Sequence, residues 1–170
     1  SSFTEEQVKV YGYKDNFVRF PAWINLSKFL EAKTIRDKHD DFKIIFVGSV
    51  TDRKNPDLIV KAISELDDEI SLEIIGPTPN KTYLNELKKS ISNSQHKKNI
   101  LLTPFIAIDE LIEKYSNADL FILPSKSEGL GRVVIEAQAT GCPVLVSSNT
   151  GAGDVISDHE QGYIIACQEE

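Results

Sequence analysis

The chain has 170 residues, of which 41% are hydrophobic and 26% charged, with a formal net charge of −7. Such a length holds one domain with a real core, and the balance is that of a globular chain. The acidic excess excludes general nucleic-acid binding, two cysteines (Cys142 and Cys167) make neither a disulfide framework nor a metal spacing, and no apolar run approaches the ~18 residues of a membrane span. No signal peptide is visible, and the first residue is Ser1 rather than Met. The expectation is a piece of a longer protein from a reducing, cytoplasmic compartment, near a membrane only through other parts.

Residues 1–41 read as an entry segment, either an irregular arm on the core or a linker with a short strand at 17–20 closed by Pro21. Residues 42–170 read as the domain. An apolar run at 42–48 predicts the first core strand, and residues 49–54 the loop after it. Asn55 is placed to cap a helix with Pro56 at its first position, and Leu58, Ile59, Ala62, Ile63 and Leu66 fall on one face. A strand at 70–75 ends at Gly76, and a helix over 80–93 turns Leu84, Leu87 and Ile91 inward. A strand at 99–102 and a loop through Phe105 and Ile106 lead to a helix capped by Asp109 that carries Leu111, Ile112 and Tyr115. Further strands fall at 144–146 and 162–166, with a glycine loop and helix at 151–158 between them. Strands alternate with helices throughout, which predicts an α/β fold, a Rossmann-like doubly wound parallel sheet with helices on both faces.

The most informative stretch is residues 118–143. Leu120 to Leu123 form a short apolar run that Pro124 ends, as in a buried parallel strand. Gly129 and Gly131 let the backbone turn close to a ligand. Residues 133–140 suit a helix that stops at Gly141, with Pro143 after it. Glu128 precedes the helix and Glu136 lies within it, near the place where ligands of open parallel sheets gather. A helix start offers N–H groups to a phosphate, and a carboxylate can accept both hydroxyls of a cis-diol.

Glu128 and Glu136 stand eight positions apart, in the context P-S-x-x-E-G-x-G before and E-A-x-A-x-G-x-P-V after. This resembles the E-x7-E motif of retaining GT-B-type glycosyltransferases, specifically glycosyltransferase family 4. The resemblance runs from about Phe17 onward and covers only the C-terminal, donor-binding half of such an enzyme. It implies a nucleotide-diphosphate sugar as donor substrate and no cofactor or metal. It implies hexosyl transfer with retention to an acceptor glycan or lipid-linked sugar, held by an N-terminal domain not included in these residues, so that the fragment alone is inactive. The setting it implies is glycan or surface polysaccharide synthesis, in the cytoplasm or at the inner face of a membrane.

Residue by residue, the resemblance gives Glu128 the donor sugar, and with it charge developing at the anomeric carbon. Glu136 receives the ribose hydroxyls. Gly129, Leu130 and Gly131 present amides to sugar or diphosphate. Lys54 meets the diphosphate in the loop after strand-end Gly48. The family often has an arginine where this chain has Ser49, and Arg53 is a candidate replacement. Phe105 and Ile106 correspond to the loop that flanks the base, with Thr150 to Asp154 near the donor sugar. Plain structural roles stay open for these last residues, for Gly76 and for Arg132.

There is no D-x-D, no G-x-x-x-x-G-K-[ST] and no G-x-S-x-G. His39, His96 and His159 sit in polar stretches and read as surface residues. A non-catalytic nucleotide-binding module of the same fold, and a sugar-nucleotide epimerase or a phosphorylase, remain as alternatives.

Overall fold

The computed structural model describes residues 1–11, 24–32, 41–67 and 69–166. The strand expected at 17–20, His39 and Cys167 lie outside them. Helix α1 covers Ser2–Val10 and the short helix α2 covers Ser27–Leu30. The domain then alternates β1 (Phe42–Val47), α3 (Pro56–Ile63), β2 (Ile70–Ile75), α4 (Lys81–Asn93), β3 (Ile100–Thr103), α5 (Ile108–Asn117), β4 (Leu120–Leu123), α6 (Arg132–Ala139), β5 (Val144–Ser147) and β6 (Gly162–Ile165).

The strands form one six-stranded sheet in the order β3-β2-β1-β4-β5-β6, and every pairing is parallel. The chain steps outward from β1 to β3, crosses back to β4, and steps outward again to β6. Right-handed crossovers therefore put α3 and α4 on one face and α5 and α6 on the other. This is the doubly wound architecture expected. The order reverses between β1 and β4, which makes the crevice above their carboxyl ends the switch point of the sheet.

Burial explains the strands. Ile44, Ile45, Phe46 and Val47 are buried in succession because the middle of β1 is covered on both faces. Tyr115 of α5 and Phe121 of β4 meet edge-on with ring centroids 5.8 Å apart, and Phe29 of α2 packs 6.4 Å from Tyr115. These rings fill the space beneath α6 where large apolar area is removed from water.

Several local expectations need correction. The buried face of α3 is Pro56, Ile59, Val60 and Ile63, while Leu58 and Leu66 are exposed. The helix turns so that positions i, i+3, i+4 and i+7 starting from Pro56 face the sheet. Asn55 occupies the cap position in a left-handed conformation and makes no side-chain cap bond. In α4 the buried residues are Tyr83 and Leu87, with Leu84 and Ile91 at the margin. Strand β3 is displaced by one residue from the expected 99–102. Helix α5 begins one residue before Asp109, so Asp109 sits in its first turn instead of capping it, ion-paired with Lys28 at 2.7 Å. The element after β5 is a single 3-10 segment, Gly151–Val155. His96 is buried, its Nε2 3.0 Å from the Leu66 carbonyl.

Candidate functional site

The loops above the carboxyl ends of β1, β4 and β5 are joined into one unit. Strand β1 delivers Gly48 and then residues 49–55. In that loop the Lys54 amide donates to the Thr51 carbonyl at 3.1 Å, which turns the Lys54 side chain back toward the strand end. A Cβ on Gly48 would lie 3.7 Å from Lys54 Cε and 3.8 Å from Nζ. The lysine stem thus crosses the strand terminus and is only 11% exposed. Beside it, Gly76 at the end of β2 has φ +146°, and a Cβ there would lie 2.1 Å from the Gly48 carbonyl oxygen. Only glycine permits that approach.

Residues 126–131 follow β4 and fasten to both neighbouring loops. The Lys126 amide donates to the Arg53 carbonyl at 2.8 Å, and Lys126 Nζ pairs with Asp52 at 2.7 Å. On the other side the Glu128 amide donates to the Asn149 carbonyl at 3.0 Å, and the Gly151 amide to the Glu128 carbonyl at 3.1 Å. Glu128 and Thr150 thereby form a parallel bridge above the end of the sheet.

The Glu128 carboxylate gathers the cations of the first loop. Its Oε2 accepts from Arg53 Nη1 at 3.1 Å and pairs with Lys54 Nζ. The same Arg53 nitrogen donates to the Ser127 carbonyl at 2.5 Å. Burial pushes the Glu128 carboxyl up, but the hydrogen bond and charge of Lys54, followed by those of Arg53, hold it below its ordinary value. It is an ionised, mostly buried carboxylate with one oxygen shared by two cations.

Glu136 is positioned differently. Helix α6 starts from Gly131, whose φ of +65° and ψ of +56° let the chain reverse into the helix. Glu136 lies in its second turn with a side chain 13% exposed, and its charged neighbour is Arg132 at 3.9 Å, beyond hydrogen-bond reach. Burial raises its carboxyl above the usual range, with Arg132 opposing. For such a group the stability contribution is present at low pH and lost as pH rises through the raised native value. Tyr115 faces the same region, its phenol pushed well up by burial and then by the charges of Glu136 and Cys142. Glu136 is therefore a sheltered acceptor with no hydrogen-bond donor within reach among the described residues.

The structure thus brings Gly48, Arg53, Lys54 and Glu128 together. Glu136 stands apart on the helix that leaves the same loop. Ser49 is exposed, Gly129 is exposed with open space where a Cβ would stand, and Leu130 is half-buried. Phe105 is 84% exposed, while Ile106 packs against the core. Thr150 Oγ1 donates to the Ser147 carbonyl at 3.1 Å, and Asp154 accepts the Ser2 amide at 2.8 Å. Sequence reasoning missed the Asp52–Lys126 pair and the Glu128–Thr150 bridge. Opposite charges in the loops after β1 and β4 carried that signal, but only the strand order makes those loops adjacent. A cavity of about 560 Å³ lies elsewhere, along the sheet face beside α3 and lined mainly by side chains such as Leu58, Ile122 and Leu145. It lacks cations, so the charged crevice is the better candidate for a polar ligand. Among the described residues no group of three or more His, Cys, Asp or Glu side chains could hold a metal ion. No described helix is long and apolar enough to cross a membrane.

Residues 28–170 match the family described as glycosyl transferases group 1. The chain belongs to the glycosyl transferases group 1 family. A D-inositol 3-phosphate glycosyltransferase of Xylanimonas cellulosilytica is 31% identical over 123 residues, covering 72% of this chain and 30% of that protein. A Pseudarthrobacter chlorophenolicus protein of the same description is 29% identical over 177 residues, covering 97% and 42%. Among solved structures, a sucrose-phosphate synthase from Thermosynechococcus elongatus superposes with a TM-score of 0.78 at 23% identity, over 99% of this chain and 44% of that one. The glycosyl transferase fold seen here is accordingly the C-terminal Rossmann-like half of a GT-B architecture. The chain spans less than half the length of these two curated relatives.

Proposed function

We propose that this chain is the donor-binding half of a retaining glycosyltransferase that takes a nucleotide-diphosphate sugar and, with its acceptor-binding half, transfers a hexosyl group without a metal. The observation that carries the reading is that two unlike carboxylates stand on one loop and on the helix that leaves it, at the switch point. Glu128 sits among cations, where a diphosphate and a sugar would be handled. Glu136 is sheltered and has no hydrogen-bond donor within reach among the described residues, which suits two ribose hydroxyls. In the reaction the bond from the anomeric carbon to the diphosphate oxygen breaks with its electron pair staying on the diphosphate, while an acceptor hydroxyl oxygen bonds to that carbon on the same face and its proton passes to the departing diphosphate. Lys54 and the first amides of α6 stabilise that charge. Relatives named as glycosyltransferases, one of them a Staphylococcus aureus enzyme of capsular polysaccharide biosynthesis, support the reaction class and a glycan acceptor.

The test is a thermal-shift screen of UDP-, GDP- and ADP-sugars against the wild type and Glu136→Ala. A donor at 100 times Kd adds about 2.7 kcal/mol of stability to the wild type. The variant should keep its unliganded melting temperature within a degree or two and lose the donor-induced shift. A full shift in Glu136→Ala removes that residue from the site.

A further inference from the structure

Lys54 and Arg53, the cations in the loop after β1, are already engaged. Lys54 Nζ and Arg53 Nη1 converge on one oxygen, Glu128 Oε2, and the lysine ammonium is largely buried. An incoming anion therefore meets cations whose charge is already shared with a carboxylate, and drawing either one closer loosens its pair with Glu128. Direct repulsion is a second factor, because the ionised carboxylate lies where the added negative charge would settle.

We infer that Glu128 is the residue that sets the preference for a sugar-bearing diphosphate over the bare one, by holding Lys54 and Arg53 when no sugar is present and yielding them only when its carboxylate has sugar hydroxyls to accept instead. This rests on the donor-site reading above. With a sugar attached, the displaced carboxylate gains new hydrogen bonds and the exchange is close to balanced. With a bare diphosphate the carboxylate gains no hydroxyl donor, so whatever loosening of the two ion pairs the ligand causes goes uncompensated. After transfer, Glu128 returns to Lys54 and Arg53, which weakens the hold on the departing nucleotide diphosphate. Glu128 is fixed for this exchange by its backbone bridge to Thr150, so only its side chain need move.

The experiment is calorimetric titration of the full chain with inorganic pyrophosphate, with UDP, GDP and ADP, and with the corresponding sugar nucleotides. Wild type is compared with Glu128→Gln and with the double variant Glu128→Gln/Lys54→Gln. Glutamine keeps the shape and removes the competing charge. Glu128→Gln should bind pyrophosphate and the preferred bare nucleotide about tenfold more tightly than wild type, while its preference for the sugar nucleotide falls. The double variant should lose that gain. Unchanged or weaker binding of the bare diphosphates by Glu128→Gln overturns the inference, as does a gain that survives loss of Lys54. A gain for pyrophosphate with no nucleotide bound more tightly than pyrophosphate supports the exchange at Glu128 and overturns the donor-site reading instead.

Discussion

Replacing Lys54 by methionine tests the electrostatics of the crevice without reference to any ligand. Methionine fills nearly the same path across Gly48, so the loss is chiefly that of the ammonium. Lys54 and Glu128 side chains are 11% and 18% exposed, and Arg53 remains beside the carboxylate at 3.1 Å. Removing one partner of a fully buried pair costs about 3–5 kcal/mol. A single hydrogen bond to a charged group contributes about 1.5–3 kcal/mol. With Arg53 still in place, the lower range applies, and a loss of about 2 kcal/mol corresponds to roughly 4–8 °C in a domain of this size. Urea unfolding of wild type and Lys54→Met across pH measures it. The native pKa of Glu128 is depressed, so the pair's contribution is fully present above the ordinary carboxylate value and is lost as pH falls through the lowered native one. The two proteins should therefore differ most near neutrality and converge in acid. A difference below about 0.5 kcal/mol at neutral pH, in the range of an exposed pair, or one independent of pH, would refute the assignment of a sheltered ion pair.

Two further substitutions probe the frame around the crevice. Gly76→Ala places a Cβ 2.1 Å from the Gly48 carbonyl oxygen at φ +146°. It should cost about 2 kcal/mol or more in chemical denaturation, and a neutral result would show that β1 and β2 do not close ranks as described. Tyr115→Phe removes a hydroxyl that is buried and has no hydrogen-bond partner among the described residues. It should leave stability unchanged or raise it by about 1 kcal/mol, and a clear loss in thermal unfolding would reveal a partner for that hydroxyl.

Much of the frame was legible in the residues because period and punctuation agree. The run 120–123 became β4 at the expected bounds, and Gly141 follows α6 in the left-handed conformation at φ +78°. The α3 face was misread because Leu58 and Leu66 are as apolar as Ile59 and Ile63. Hydrophobicity alone cannot choose between two adjacent stripes when a sheet half-covers both. Asp109 resembled a cap, yet Ala107 takes that position and the aspartate pairs with Lys28, a partner distant in sequence. At the crevice, the residue types were readable one by one. Their joining was not, since Arg53 and Glu128 meet only after the chain has crossed the sheet and returned.

The bridge between Glu128 and Thr150 carries sheet-like pairing into the loops directly after β4 and β5. A carboxylate on a wandering loop would forfeit backbone freedom each time it engaged a partner, about 1–2 kcal/mol for every residue brought to rest. Here that ordering happens once, when the polypeptide folds. Whatever Glu128 grips, it grips from a backbone already tied to the next loop by two amide hydrogen bonds, so less of the free energy of the encounter goes to ordering the chain.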